Sequence, residues 1–287
     1  MGYPMAGHLI NSGHSVTLWS NTADKAKELA RDGKAAACAT PKDVAERSDF
    51  IFYCVGDSEM ARSITLGKSG LIEGVRRGAV IADCSTIAQK TSKEIGEAFA
   101  SKGASFLDAP CTGSKPGAEN GTLTFMIGGE KAAYEAARPF MELMGKVFYY
   151  CGGAGQGLQA KLTQNLILAN IMQAFGEGMV LATKAGVPPE LMLDILNNSA
   201  AKSGLISFKA PFILTRDFRT NFSTKWMTKD IELALESARG LNVPLPSTGL
   251  TAQMLRAAIA SGYGDDDFCS TIRVLEDWAG IVVEKRD

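Results

Sequence analysis

The chain has 287 residues, with 30 basic and 31 acidic side chains and a formal net charge of −1 at pH 7. This near balance, without a long run of one sign, gives no electrostatic reason to expect nucleic acid or an anionic membrane surface as a partner. We also expect no membrane-spanning helix, because no apolar stretch approaches the ~18 residues that a bilayer requires.

The first half of the chain alternates short apolar strands with helical segments, which is typical of a parallel sheet covered by helices. The predicted strands are 16–19, 49–55, 79–83, 104–107, 125–127 and 146–150, and the predicted helices are 23–32, 89–102 and 130–144. After Gly157 the pattern is helical, with predicted helices at 158–184, 189–197, 225–239, 248–261 and 271–284. We therefore predict an α/β fold. Residues 1–152 would form a Rossmann-type doubly wound parallel sheet, and residues 153–287 an all-α domain that a long interdomain helix enters.

The cysteines and histidines argue against several kinds of catalytic site. The six cysteines have no CxxC pair or zinc-like spacing, so we expect buried reduced thiols, a cytoplasmic protein and no metal site. The only histidines, His8 and His14, are close to the start, which gives little support for a histidine-based hydrolase or dehydrogenase. If the protein transfers a proton in catalysis, we expect a lysine or a carboxylate to be the proton donor or acceptor.

Two motifs suggest a catalytic site. Segment 108–118 (DAPCTGSKPGA) follows the predicted strand 104–107 and is rich in hydroxyls and glycines, which lets a backbone approach a small oxygen-rich ligand closely. Segment 153–161 (GAGQGLQAK) opens the long helix and places Lys161 and Asn165 at i and i+4, on one face. Together they resemble the substrate loop and catalytic helix of the β-hydroxyacid dehydrogenases, over nearly the whole chain.

The resemblance implies a nicotinamide cofactor at the carboxyl ends of the strands. Residues 1–6 (MGYPMA) resemble the end of the family's glycine-rich phosphate loop, with Gly2 at its third glycine. Segments 54–58 and 83–86 resemble its cofactor-lining loops, although ordinary strand-to-helix capping would explain each equally well. The cofactor-binding residues implied are Gly2, Tyr3, Pro4, Met5, Cys54, Val55, Gly56, Asp57, Thr86 and Lys229.

The choice of cofactor depends on the loop after the predicted strand 16–19. This loop reads Ser20, Asn21, Thr22, with Lys25 a turn further on, and lacks the acid that usually binds the ribose diol of NAD. Related NADP-linked sequences have arginine where Asn21 stands. We therefore expect NADP with a modest preference and leave NAD use open, and we add these four residues to the cofactor set. A plain helix N-cap is also compatible with the loop.

The family's first strand and first two glycines are absent from this sequence. We expect the natural chain to begin further upstream, and strands at Val16 and Phe50 to face a gap where the central strand would pair. Stability and dinucleotide affinity should both be lower without that strand.

The resemblance also assigns the chemistry. Lys161 would be the catalytic residue that stabilises the developing oxyanion and delivers a proton, and Asn165 would orient it or the substrate. The substrate-binding residues implied are Ser85, Thr112, Gly113, Ser114, Lys161, Asn165, Phe222 and Asp230. Cys111 lies in the same loop, but neither a histidine nor a second cysteine accompanies it in sequence.

Segments 112–115 (TGSK) and 264–268 (GDDDF) are closer to glyoxylate/succinic semialdehyde reductases than to 3-hydroxyisobutyrate dehydrogenases. We therefore expect an NADP-preferring reductase of small carboxylated aldehydes, which forms hydroxy acids and assembles as a homo-oligomer (dimer or tetramer). The alternatives are a 3-hydroxyisobutyrate-type dehydrogenase and, from another class, a non-catalytic cofactor-binding or structural relative.

Overall fold

The computed structural model describes residues 1–285, and its contacts divide the chain into two units, Met1–Lys161 and the part from Leu162 onward. The division lies inside a long helix, whereas the sequence placed the domain boundary after residue 152. The strands of the first unit are β1 (Val16–Leu18), β2 (Ala35–Ala37), β3 (Phe50–Tyr53), β4 (Val80–Asp83), β5 (Ser105–Asp108), β6 (Cys111–Thr112), β7 (Leu123–Gly129) and β8 (Gly145–Gly152). Its helices are α1 (Gly2–Asn11), α2 (Ala23–Leu29), α3 (Pro41–Ala45), α4 (Ser58–Leu66), α5 (Leu71–Gly74), α6 (Gln89–Ser101), α7 (Ser114–Glu119) and α8 (Lys131–Met141), and α9 (Gln156–Lys184) begins here.

The larger sheet of the first unit is parallel over β3, β4 and β5 but, contrary to the sequence prediction, it is not parallel throughout. Its order is β3-β4-β5-β7-β6, with β8 also paired to β7. Strands β3, β4 and β5 run parallel, β7 is antiparallel to β5 and β6, and β8 is parallel to β7. The predicted α/β fold is therefore confirmed, with an antiparallel pairing added beyond β5.

The alternation of side chains along β4 explains why helices cover both faces of this sheet. Val80 and Ala82 join a core cluster that includes Leu107 and residues of α8. Ile81, on the other face, joins a second cluster with Phe99 of α6. Burying both faces leaves the strand ends as the places where polar groups can gather.

Strands β1 and β2 form a separate two-stranded parallel sheet. Among the described residues, β1 pairs with β2 and not with β3, so the expected interruption between the strands at Val16 and Phe50 is present. A hydrogen bond between Thr17 Oγ1 and Ser48 Oγ, at 2.9 Å, links β1 to the segment that precedes β3.

The second unit is helical, as predicted. After α9 it contains α10 (Pro189–Asn197), α11 (Gly204–Leu214), α12 (Thr224–Gly240), α13 (Pro246–Ala258) and α14 (Ile272–Ala279), with short π and 3-10 turns at Ile259–Tyr263 and Phe268–Thr271. A buried ion pair joins Lys209 Nζ to Asp267 Oδ2 at 2.7 Å. The same oxygen accepts the backbone N–H groups of Asn221 and Phe222. This pair therefore fixes the segment that leads into α12.

Helix α9 corrects one expectation. It is 29 residues long and is apolar enough, by length and composition, to cross a membrane, so the statement that no stretch approaches that limit is wrong. Met172, Phe175 and Met179 of α9 are buried in the core of the second unit. A helix at the centre of a helical core needs the same apolar composition.

The sequence missed several short elements and misplaced some ends. Strand β2 is Ala-Ala-Ala, which has no strand propensity, and β6, α3, α4, α5, α7 and α11 were not predicted. The last helix was expected to reach residue 284 but ends at Ala279, because Gly280 adopts φ +60° and terminates it.

Candidate active site

Three polar residues stand in one row at the carboxyl ends of β3, β4 and β5. The strand register pairs Tyr53 with Asp83, and Asp83 with Asp108. In a parallel sheet this edge is where a ligand meets the loops that leave the strands. The row therefore lies where the loops begin to which the sequence assigned cofactor binding, after β3 and β4, and substrate binding, after β5.

The two predicted cofactor loops after β3 and β4 are tied to each other. Val55 N–H donates to Ser85 Oγ at 2.8 Å, and Ser85 N–H donates to Asp83 Oδ1 at 2.8 Å. Ser85 was predicted to bind substrate, but it is only 2% exposed and its hydroxyl already accepts this bond. Asp57 Oδ1 accepts Met60 N–H at 2.8 Å and so caps α4, which is the ordinary explanation considered for that loop.

Asp83 has an unusual protonation equilibrium. Burial raises its pKa to about 7, even though hydrogen bonds from Ser85 favour the ionised form. Tyr53 lies beside it, yet neither Tyr53 Oη nor Asp83 Oδ2 has a hydrogen bond of ordinary geometry. A carboxyl group that changes charge near neutral pH therefore supports the cofactor loops.

The segment Gly2, Tyr3, Pro4 and Met5 forms the first turn of α1. A β carbon on Gly2 would lie 3.8 Å from Cys54, so this helix start is beside the loop after β3. The free N–H groups of a helix's first turn favour anions there. This arrangement brings the first two predicted cofactor segments together.

The loop that bears on the choice between NAD and NADP lies between β1 and α2. Asn21, Thr22 and Lys25 are exposed, and Ser20 Oγ accepts Thr22 N–H at 3.2 Å. Thr22 occupies the N-cap position of α2 without a side-chain cap bond. The loop therefore presents an amide, a hydroxyl and an ammonium group to solvent.

The predicted carboxylate-binding residues form the turn from β6 into α7. Thr112 ends β6, Gly113 has φ +131° and Ser114 has φ +54°, a conformation that favours glycine or a residue held in a tight turn. Burial raises the pKa of the neighbouring Cys111 to about 12. That thiol stays protonated at neutral pH, which argues against a nucleophilic role for it.

Lys161 is 7% exposed, although it is a lysine in a helix. It lies three residues after Leu158, whose N–H donates to Asp108 at the end of β5, and its charge opposes the rise of the Cys111 thiol pKa. Lysines are almost never buried unless other groups satisfy them. The burial of Lys161 therefore favours a role as a proton donor over that of a solvated surface lysine.

The second unit brings together three more predicted residues. Asn165 Nδ2 donates to Asp230 Oδ2 at 2.5 Å, and Lys229 Nζ lies 2.9 Å from Asp230 Oδ1. Asn165 and Asp230 are each 2% exposed. Phe222 belongs to the segment that Asp267 holds before α12, where its N–H donates to Asp267 Oδ2 at 3.1 Å.

Sequence reasoning missed the roles of Asp83 and Asp108. Both are acids that end apolar strands, and that position was the available signal, because a carboxylate there must find buried donors. The carboxylate of Asp108 accepts the N–H groups of Gly155 and Leu158.

Among residues 1–285, no group of three or more His, Cys, Asp or Glu side chains is placed to hold a metal ion.

The fold and the polar loops at its strand ends are those of a dinucleotide-binding oxidoreductase. Residues 1–153 match the NAD binding domain of 6-phosphogluconate dehydrogenase, and residues 155–275 match the NAD-binding region of NADP-dependent 3-hydroxyisobutyrate dehydrogenase. The chain is 34% identical over 276 residues to glyoxylate/succinic semialdehyde reductase 2, chloroplastic, of Arabidopsis thaliana, covering 96% of this chain and 77% of that protein.

A second relative, 2-(hydroxymethyl)glutarate dehydrogenase of Eubacterium barkeri, is 33% identical over 284 residues, covering 99% of this chain and 94% of that protein. The structure of Mycobacterium tuberculosis 3-hydroxyisobutyrate dehydrogenase with L-serine superimposes with a TM-score of 0.86 at 27% identity, covering 96% of this chain and 95% of that one. The chain belongs to the NAD(P)-dependent β-hydroxyacid dehydrogenase family.

Proposed function

We propose that this protein reduces small carboxylated aldehydes, of the glyoxylate or succinic semialdehyde type, to hydroxy acids, and prefers NADPH. The observation that carries the proposal is the burial of Lys161, three residues after Leu158, whose N–H donates to Asp108 at the end of β5. An ammonium group there would serve a carbonyl next to the 112–114 turn, which would bind the substrate carboxylate.

The donor groups of the first unit fit a phosphorylated dinucleotide. The first turn of α1 offers backbone N–H groups, and the 20–25 loop offers exposed donors without a carboxylate at residues 20–22. Lys25 and Asn21 suit a 2′-phosphate better than a bare ribose diol, because the ammonium and the amide NH₂ group both donate hydrogen bonds and neither side chain carries a negative charge. A bound reduced nicotinamide supplies the hydride.

The chain's own residues would do the rest of the chemistry. Lys161 Nζ stabilises the negative charge that develops on the carbonyl oxygen, and it delivers the proton that completes the alcohol. Thr112 Oγ1 and the N–H groups of Gly113 and Ser114 would bind the substrate carboxylate. Asp230 holds the amide of Asn165 in one orientation, so that this amide can position the reacting groups.

The test compares substrates and one variant. Succinic semialdehyde and glyoxylate should give higher kcat/KM with NADPH than uncharged aldehydes of equal length. Lys161→Ala should lower kcat by ~10²–10⁴ and leave the Kd for NADPH nearly unchanged. Lys131→Ala is the matched control, because Lys131 is exposed and forms a surface ion pair with Glu135, at 3.8 Å.

Equal rates with charged and uncharged aldehydes would refute carboxylate recognition. A Lys161→Ala variant that keeps more than about a third of the wild-type kcat would remove Lys161 from the proton-transfer role. NADPH binding without turnover of any aldehyde or hydroxy acid would favour the non-catalytic alternative.

A second candidate is oxidation of a 3-hydroxyisobutyrate-type substrate, favoured by the match of residues 155–275. Assaying 3-hydroxyisobutyrate with NADP⁺ beside the aldehydes distinguishes the two. A higher kcat/KM for 3-hydroxyisobutyrate than for the hydroxy acid product of succinic semialdehyde would favour this candidate.

A further inference from the structure

The carboxylate of Asp108 binds the start of helix α9. Asp108 is 1% exposed and is the last residue of β5. Its Oδ1 accepts Gly155 N–H at 2.7 Å, and its Oδ2 accepts Leu158 N–H at 2.9 Å. The first-turn N–H groups of a helix have no acceptor within the helix. A side chain from a distant strand therefore caps α9, and it places negative charge at the positive end of the helix dipole.

The backbone at the start of α9 packs closely against the backbone of β5 and β7. A β carbon on Gly157 would lie 2.4 Å from Met126 O and 2.7 Å from Asp108 O. A β carbon on Gly128 would lie 2.5 Å from Asp108 Oδ1. Because these backbones touch, the place of the Asp108 carboxylate determines where the first turn of α9 lies over β5 and β7.

Lys161 follows Leu158 by three residues, roughly 4.5 Å along the helix axis. The backbone that Asp108 holds is therefore continuous, within one turn, with the backbone that carries Lys161. A second bond, from Gln89 Nε2 to Gly155 O at 2.8 Å, fixes the same end of the helix. All of these groups belong to the first unit.

We propose that Asp108 is a positioning residue for the reaction: by binding the N–H groups of Gly155 and Leu158, it fixes the first turn of α9 and so sets the position of Lys161. The inference rests on the proposed role of Lys161. Burial raises the pKa of Asp108 while the hydrogen bonds from Gly155 and Leu158 oppose that rise. The hydrogen bonds that hold the start of α9 therefore also stabilise the buried carboxylate of Asp108.

The test is a double-mutant cycle on the full chain, with NADPH and succinic semialdehyde. Asp108→Asn keeps the size of the side chain but turns an amide donor toward one of the two backbone N–H donors. We expect kcat to fall on the order of 10²-fold, because a displacement of about 1 Å has that cost, while the Kd for NADPH changes less than threefold. In the Lys161→Ala background, Asp108→Asn should lower kcat no further, since a positioning residue acts only through the group it positions.

The matched control is Asp43→Asn, which removes a comparable bond at another helix start, where Asp43 Oδ2 accepts Thr40 N–H at 2.9 Å. Its kcat should equal that of the wild type. If Asp108→Asn fails to fold by circular dichroism, Asp108→Ser, which is smaller and keeps one acceptor, takes its place in the cycle.

The outcomes separate the two proposals. A folded Asp108 variant that keeps more than a third of wild-type kcat overturns the positioning role. So does an Asp108 effect that multiplies with that of Lys161→Ala, because the residue would then act independently of the lysine. An unchanged kcat in Lys161→Ala alone removes Lys161 from the proton-transfer role, and the positioning role of Asp108 fails with it, whereas absence of turnover in the wild type refutes the proposed function.

Discussion

The residues that would carry the reaction differ from ordinary surface residues in burial. Lys161, Asn165 and Asp230 are 7%, 2% and 2% exposed, respectively, and Asp230 has both a hydrogen bond and an ion pair. Charged groups are rarely buried unless they are paired, because desolvation is costly. By contrast, Asn21, Thr22 and Lys25 are exposed, as a surface loop that binds a phosphate would be. The roles of all these residues stay predictions until variants are measured.

The exposed loop gives a prediction about cofactor choice. Asn21→Arg should raise the ratio of kcat/KM for NADPH to that for NADH roughly tenfold, because a guanidinium binds phosphate in a bidentate manner. Asn21→Gln is the control, since it lengthens the side chain without adding charge, and its ratio should stay near that of the wild type. Steady-state kinetics with both cofactors measure the ratio. A wild-type enzyme that favours NADH, or an arginine variant with an unchanged ratio, would contradict the assignment of this loop.

At the scale of elements, α9 depends on its glycine-rich start. The sequence predicted that Gly153, Gly155 and Gly157 open a helix, and the structure confirms the helix from Gln156. It also gives the physical reason for Gly157, which is the contact with Met126 O and Asp108 O. That reason was not visible in the sequence, because the two carbonyls belong to strands β7 and β5, which are distant in the chain.

Two glycines of α9 make a matched pair for a second prediction. Gly157→Ala should lower the melting temperature and kcat together, because its β carbon would lie 2.4 Å from Met126 O and push the helix start away. Gly178→Ala has open space around the added carbon, so it should stabilise the helix by up to about 1 kcal/mol and leave kcat unchanged. Thermal unfolding and initial rates on both variants check this. Equal melting temperatures for the two would show that the close packing at Gly157 is not a constraint.

At the scale of the whole molecule, stability should depend on pH through Asp83. Its pKa is about 7 in the folded chain, above the usual ~3.9 of an unfolded aspartate. Between those values the native state binds more protons than the unfolded state, so the free energy of unfolding falls as pH rises. The contribution is fully present below about pH 4 and is lost as pH passes 7, with a slope of up to about 1.4 kcal/mol per pH unit for this one proton.

Asp83→Asn should remove this part of the dependence, because the amide stays neutral while its oxygen can still accept Ser85 N–H. The two pKa values, ~3.9 unfolded and about 7 folded, set the range to test. Denaturant unfolding at several pH values between about 4.5 and about 8 should show the variant gaining stability relative to the wild type as pH rises. Asp49→Asn is the control, since the Asp49 side chain is 77% exposed and pairs with Arg76 at the surface. Parallel pH curves for Asp83→Asn and the wild type would refute the raised pKa.

The sequence by itself determined the order of the main elements, the α/β fold, the family and the nicotinamide chemistry. It could do so because strand and helix periodicity and the two long motifs, 108–118 and 153–161, are local signals. The short elements β2, β6 and α11 escaped, since an alanine triplet, a two-residue strand and a helix with Pro211 in its interior carry weak or contrary local preferences. The tertiary structure alone decided which polar groups meet. The Asn165–Asp230 bond and the capping of α9 by Asp108 each join residues that are far apart in sequence. The raised pKa of Asp83 likewise depends on burial, which the tertiary structure sets.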